Sequence, residues 1–392
     1  MRLAYELMRH VTAHMNTGTL TIRFPDLPDM VIDKDDGGPS AEIHIHRSRA
    51  VWRLLSGGDL GFASAYVDAD WDSPDIEAVL RLALKNEAAL AKALRPWPVW
   101  GWVAHLRHRL RPNTLGGSRK NIASHYDLGN RFYALWLDKS MTYSSALFER
   151  PDMSLHEAQM AKYARIVKRL NIGPDDHVLE IGCGWGGFAE YAIAATGCRI
   201  TGLTLSTEQA AFARERLARA GMASRADIRL EDYRHVTGQF DKIVSIEMFE
   251  AVGEDNWPVY FRTVRARLKP GGQAHIQTIT IADDRFAHYR VNADYIQTYI
   301  FPGGMLPSPA TFIAAARKEE LNLNKAIAFG QDYARTLRLW DNAFVAQWQH
   351  IHPLGFDERF YRMWRYYLHY CAAGFEADTI NVYQFDLSAP ES

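Results

Sequence analysis

The chain has 392 residues, 47% of them hydrophobic and 23% charged, with a formal net charge of −1. So high an apolar fraction with so little net charge excludes a disordered chain, and 45 basic residues against 46 acidic ones exclude a globally basic nucleic-acid binder. Cys183, Cys198 and Cys371 are too few and too scattered for a disulfide framework, and no C-x-x-C pair exists for zinc. Reduced thiols in a cytosolic protein are expected. The N-terminus, MRLAYELMRHVTAHM, lacks the apolar run of a secretory signal, and no stretch of about 18 uninterrupted apolar residues is present to span a membrane. The length suits roughly two to three domains.

Residues 1–90 read as a small mixed domain. Thr19–Phe24 and Ala41–His46 alternate as strands. Arg47–Leu55 and Ile76–Leu94 have helical spacing, with Gly57–Gly61 as a loop between them. His44 and His46 share a strand face. With no further ligands clustered nearby they read as solvent-facing polar residues, and no metal site is expected.

Residues 91–120 change character, with seven Lys or Arg, no acid, and Trp97, Trp100 and Trp102. Arginines beside indoles suit an anionic membrane surface; a linker helix packing its tryptophans on a neighbouring domain fits equally well. Pro112 and Gly116-Gly117-Ser118 mark a boundary.

From 121 to 392 strand and helix alternate. Helices are expected over Ser154–Leu170, Gly187–Ala195, Thr207–Ala220 and Trp257–Leu268. Strands are expected over His177–Ile181, Arg199–Leu205, Ala226–Leu230, Phe240–Ile246 and Gly272–Ile281. This predicts an α/β fold, a doubly wound, Rossmann-like parallel sheet with helices on both faces and a ligand at the carboxyl ends of its strands. Gly182, Gly184 and Gly187 satisfy G-x-G-x-x-G after the first of these strands, a weak signal alone. A nicotinamide enzyme places an acid about 20 residues on to hold the ribose, yet the second strand ends Gly202-Leu203-Thr204-Leu205-Ser206. Glu180 instead sits at the end of the first strand, where a carboxylate suits the cationic amino acid portion and sulfonium of S-adenosylmethionine. Glu231-Asp232-Tyr233 follows the third strand, on the adenine side of such methyltransferases.

Several motifs in order carry a more specific resemblance: Tyr126-Asp127-Leu128-Gly129-Asn130, Met141-Thr142-Tyr143-Ser144, Glu180–Gly187, Thr204-Leu205-Ser206 with Gln209, Met248-Phe249-Glu250, and Tyr299–Gly304. Together they resemble the cyclopropane fatty acid synthase family, densely over 121–385 and more loosely over the N-terminal domain. The resemblance implies a class I methyltransferase fold and an S-adenosylmethionine-dependent enzyme acting on the cis double bond of an unsaturated phospholipid acyl chain. It works through a carbocation and yields a cyclopropane or a methyl-branched chain. It implies cofactor binding by Tyr143, Ser144, Gly182, Gly184, Thr204, Gln209 and Tyr233, beside Glu180. It also implies peripheral attachment at the cytoplasmic face of a membrane, a homodimer formed through the smaller domain, and no nucleic-acid partner. Tyr295, Tyr299, Phe301, Trp340, Tyr366, Tyr367 and Tyr370 form a pool of aromatic faces for the cation, most of them expected in the core.

The family holds a bicarbonate as base with a cysteine, a glutamate, a histidine, an adjacent backbone group and a tyrosine. The glutamate matches Glu250 and the tyrosine Tyr333, but the cysteine is Ser145, the histidine is Gln277, and the residue after Glu250 is Ala251 rather than histidine. Serine and glutamine still hydrogen-bond an anion, without a proton that titrates near neutral pH. Glu247, three residues before Glu250, either converges with it or splays away; facing a helix in a salt bridge is the favoured arrangement. Ser145, Ala251 and Gln277 together suggest that methyl transfer is kept while ring closure is not. The competing readings are a small-molecule N- or O-methyltransferase on the same core and a non-catalytic lipid binder.

Overall fold

The structure is a computed structural model that describes residues 1–94 and 128–391. Most of the basic, tryptophan-bearing segment, from Arg95 to Lys120, lies outside the described residues, as do Tyr126 and Asp127.

The N-terminal part comprises α1 (Arg2–Thr12), β1 (Thr19–Arg23), β2 (Met30–Asp33), β3 (Ser40–Ile45), α2 (Arg49–Val67), β4 (Trp71–Asp72), α3 (Ile76–Lys85) and α4 (Glu87–Leu94). Its sheet runs β2-β1-β3-β4, with β1 and β3 parallel. Two expectations change here. Gly57–Gly61 is not a loop: α2 continues across a kink at Gly58, whose φ of 56° and ψ of −136° break the helical geometry. The expected helix over Ile76–Leu94 is two helices parted at Asn86, whose buried side chain bonds the backbone of Asn16 and Thr17. That side chain competes with helical propagation, as asparagine does.

The larger part comprises α5 (Asn130–Ala134), α6 (Leu155–Leu170), β5 (His177–Ile181), α7 (Gly187–Thr196), β6 (Arg199–Thr204), α8 (Thr207–Arg219), β7 (Ala226–Leu230), β8 (Phe240–Ile246), α9 (Trp257–Arg267), β9 (Leu268–Ile281), α10 (Asp283–Tyr289), α11 (Pro309–Lys318), β10 (Asn322–Ala328), α12 (Gly330–Ala346), α13 (Trp348–Ile351), α14 (Glu358–Glu376) and β11 (Ile380–Ser388). Ser154 opens α6 with a capping box to Glu157, worth about 1 kcal/mol.

The sheet order is β10-β11-β9-β8-β5-β6-β7. β9 to β7 pair in parallel, but β11 and β10 add antiparallel. The sheet is therefore mixed, not purely parallel, because β11 returns directly from α14 without a crossover. β5 lies between β8 and β6, so chain order switches on either side of it and a crevice opens at its carboxyl end.

The two parts share one hydrophobic cluster running from Met8 and Trp71 to Trp340 and Trp364. A buried polar seam joins them as well. Glu77 of α3 accepts from Arg338 of α12 and meets His369 of α14, which also meets Asp341.

Candidate active site

β5 delivers Glu180 and the glycine turn into the crevice. Gly182 has φ of 85°, and a Cβ there would lie 2.9 Å from the Met248 side chain. Gly184, with φ of 52°, faces open space, as backbone approached by a ligand does. One cavity is lined by Met141–Ser144, Glu180–Trp185, Thr204, Gln209, Asp232 and Tyr233. The sequence-predicted cofactor residues thus come together. Thr204 donates to Gln209 at 2.8 Å, and Asp232 is held by Arg234. Glu180 is 3% exposed and its Oε2 has no partner. Burial pushes its carboxyl well above the usual range. An unpaired buried carboxylate is costly, and a cationic ligand group is the partner that such a position suits.

A second, larger cavity of about 1310 Å³ lies between the two parts of the chain. Leu54, Leu60, Leu84, Leu90 and Leu94 line it from the small domain, and Phe301, Tyr366, Tyr367 and Tyr370 from the large one. Tyr295 and Trp340 are core and line neither this cavity nor the first, while Tyr366 and Tyr367 are buried and line this one. Tyr143, Glu247 and Ala251 line both cavities. Where the family has histidine, Ala251 leaves the junction open.

Glu247 does not face a helix in a direct salt bridge. It leaves β8 with φ of 50°, a conformation that L-residues seldom adopt, and this turns its carboxylate back to the end of β9. There Oε1 accepts from the Ser145 N–H at 2.9 Å and from Gln277 Nε2 at 2.7 Å. Oε2 accepts from the Tyr333 hydroxyl at 2.5 Å. The Gln277 amide is itself oriented by Gln384 Nε2 at 2.9 Å. Ser145 contributes its backbone only, because its hydroxyl donates to the Ala146 carbonyl.

Glu250 stands beside this carboxylate. Ile279 N–H donates to its Oε1 at 2.5 Å, and its Oε2 has no partner. Burial and then the Glu247 charge push Glu250 up to about 8, so at neutral pH it keeps its proton. Burial also raises Glu247, opposed first by Lys162 and then by its hydrogen bonds to Tyr333, Ser145 and Gln277. Two neighbouring buried carboxyls, one held by three donors and the other by one backbone N–H, are an arrangement that acid–base chemistry uses.

The sequence reading gave convergence of Glu247 with Glu250 as the less favoured of two arrangements, and it missed Gln159 and Lys162. Both lie on the buried stripe of α6 with Ala158, Tyr163 and Ile166. A glutamine and a lysine at core positions of an amphipathic helix were the signal available.

Among the described residues no His, Cys, Asp and Glu group is arranged to hold a metal, and no helix is long and apolar enough to cross a membrane.

Residues 115–385 match the family model for mycolic acid cyclopropane synthetase. The tuberculostearic acid methyltransferase of Mycobacterium tuberculosis is 39% identical over 90% of this chain and 84% of its own. The cyclopropane-fatty-acyl-phospholipid synthase of Escherichia coli is 35% identical over 89% of this chain and 88% of its own. A mycolic acid cyclopropane synthase solved with S-adenosylhomocysteine and CTAB superposes with a TM-score of 0.65 at 32% identity, over 69% of this chain and 98% of that one. The carboxyl-end crevice, the glycine turn and the unpaired Glu180 fit the cofactor of these proteins, and the chain is an S-adenosylmethionine-dependent methyltransferase belonging to the mycolic acid cyclopropane synthetase family.

Proposed function

We propose that this enzyme methylates the cis double bond of an unsaturated acyl chain carried by a phospholipid, and that Glu247 removes the proton afterwards, giving a methyl-branched unsaturated chain rather than a cyclopropane. One observation carries the reading. The Ser145 N–H, the Gln277 amide and the Tyr333 hydroxyl, which by family resemblance would cradle a bicarbonate, all bind the Glu247 carboxylate. A bicarbonate there would set a second buried anion against the first with its donors already taken. The residues present do not fit one, and no step runs through it.

S-adenosylmethionine supplies an electrophilic methyl group, which a poor nucleophile such as an alkene requires. Attack by the alkene leaves a carbocation on the neighbouring chain carbon, in a site that must exclude water. Tyr143 and Tyr367, joined hydroxyl to hydroxyl at 2.8 Å, line the cavity, and aromatic rings stabilise a cation through their quadrupoles. Protonated Glu250 adds no charge, so a single anion, Glu247, faces the cation. Its Oε1 is filled by two donors and its Oε2 by one, which leaves a lone pair on Oε2 for the proton. A free anion can follow the transferred methyl group. A carboxylate tethered at a strand end takes the proton presented to it, and elimination then displaces ring closure. One relative is named a tuberculostearic acid methyltransferase, at 39% identity, and another a cyclopropane-fatty-acyl-phospholipid synthase, at 35%.

The large apolar cavity suits an acyl chain better than a small heteroatom nucleophile. Leu94 lines it, and the basic, tryptophan-bearing sequence follows Leu94 directly. That continuity supports lipid capture at an anionic, cytoplasmic membrane face. The test is incubation with vesicles of unsaturated phospholipid and methyl-labelled S-adenosylmethionine, followed by proton NMR of the acyl chains. Vinylic and branched-methyl signals are expected. A cyclopropane as sole product overturns the reading.

A further inference from the structure

Helix α6 carries two polar side chains into the core, and both reach the same residue. Gln159 and Lys162 are each 0% exposed. Gln159 Nε2 donates to the Ser144 carbonyl at 2.9 Å, and Lys162 Nζ donates to the Ser144 hydroxyl at 2.6 Å. Their i, i+3 spacing brings them to one face of the helix. The Ser144 carbonyl and the Ser145 N–H belong to a single planar peptide group. Gln159 therefore holds the oxygen end of the peptide whose nitrogen end donates to Glu247 at 2.9 Å. Lys162 fixes the side chain of the same residue.

Charge makes the arrangement more than a scaffold. A buried ammonium needs a compensating anion. The acids that face Lys162 are Glu247 and Asp138, and its ammonium also lies 5.0 Å from the centre of the Tyr163 ring. Asp138 is taken up by Ser140 and His156. Glu247 faces Lys162 from α6, Tyr333 from α12 and Glu250 beyond β8. We propose that Lys162 is a positioning residue for the reaction: through the Ser144–Ser145 segment it fixes where the Glu247 carboxylate sits, and its buried positive charge keeps that carboxylate in the proton-accepting form. The inference rests on the reading of Glu247 as the base. Lys162 heads the influences that oppose the burial-driven rise of Glu247, and burial in turn pulls Lys162 down to about 7 while Glu247 and then Asp138 resist.

The test is the pH dependence of kcat/KM in Lys162→Gln, which keeps a donor for Ser144 but no charge, and in Lys162→Met, which keeps neither. Far-ultraviolet circular dichroism and a cooperative unfolding transition check that each variant is folded. In both, the acid limb should move upward by about one pH unit or more, so that activity about tenfold down at a pH below the limb recovers as the pH rises. A purely structural role would lower the rate at every pH with the limb in place, and that result overturns the proposal. Should neither variant fold, the wild-type protein decides by carboxyl NMR with labelled glutamate, the Glu247 signal being identified by its loss in Glu247→Gln. It should be ionised at neutral pH; a protonated Glu247 overturns the proposal. Turnover in Glu247→Gln separates the two readings. If it persists, the base assignment falls. If it is lost while the Lys162 variants keep the wild-type limb, only the role of Lys162 falls.

Discussion

Tyr333→Phe removes one oxygen from the site and little else. The ring stays stacked on Phe375, with centroids 4.5 Å apart, so packing is preserved. What goes is the 2.5 Å hydrogen bond to Glu247 Oε2. A hydrogen bond to a charged group contributes about 1.5–3 kcal/mol, and about 1.4 kcal/mol corresponds to one pH unit in proton affinity. The bond favours the ionised form, so its loss disfavours the anion and raises the Glu247 carboxyl by about one to two pH units. The acid limb of kcat/KM should rise by that amount. At a pH below the wild-type limb the variant should be about ten- to a hundredfold slower, with its rate approaching wild type in alkaline buffer. The assay is initial rate against pH on vesicles of unsaturated phospholipid. An acid limb that does not move refutes the claim that Tyr333 acts by holding the Glu247 anion.

Three further predictions concern the cofactor crevice and the domain seam. Glu180→Gln leaves the buried position filled but uncharged, and calorimetry should register about ten- to a hundredfold weaker S-adenosylmethionine binding, from the loss of a charge-assisted bond of about 1.5–3 kcal/mol; unchanged affinity contradicts the pairing. Gly182→Ala places a side chain at φ of 85° with its Cβ 2.9 Å from Met248. Denaturant unfolding should report a loss of about 1–2 kcal/mol, and wild-type stability would show that the turn relaxes freely. For His369, burial lowers the proton affinity, but hydrogen bonds to Asp341 and Glu77 outweigh it and the net shift is upward from the usual 6.5. A raised folded-state value stabilises fully below the unfolded value and is lost as pH rises through the folded one. Melting temperature should therefore fall as pH rises above about 6.5 in the wild type and not in His369→Gln; parallel profiles would exclude a charged His369 at the seam.

The strands and the glycine turn of the large domain were legible because local periodicity and turn chemistry specify them, and β5, β6, β7 and β8 fall within a residue of their expected bounds. The kink at Gly58 and the break at Asn86 were not, since each depends on contacts distant in sequence. Nor were β10 and β11, whose antiparallel addition depends on where α14 delivers the chain. The residues expected to bind the cofactor line one cavity, and each was readable because it lies in a short motif at the end of a strand or turn. The placement of Glu247 was not, because the reversal at φ of 50° leaves the strand alternation that would place its side chain. Lys162 was readable only as a charge in the wrong place on a helix, and the reason for it lies across the fold at Ser144.

The central claim is that a residue of the chain occupies the seat of an exchangeable base. Turnover measured in buffer stripped of carbon dioxide, with and without added bicarbonate, tests it most directly. Equal rates and the same methyl-branched product are expected in both. A rate that collapses without bicarbonate and returns on its addition would contradict it.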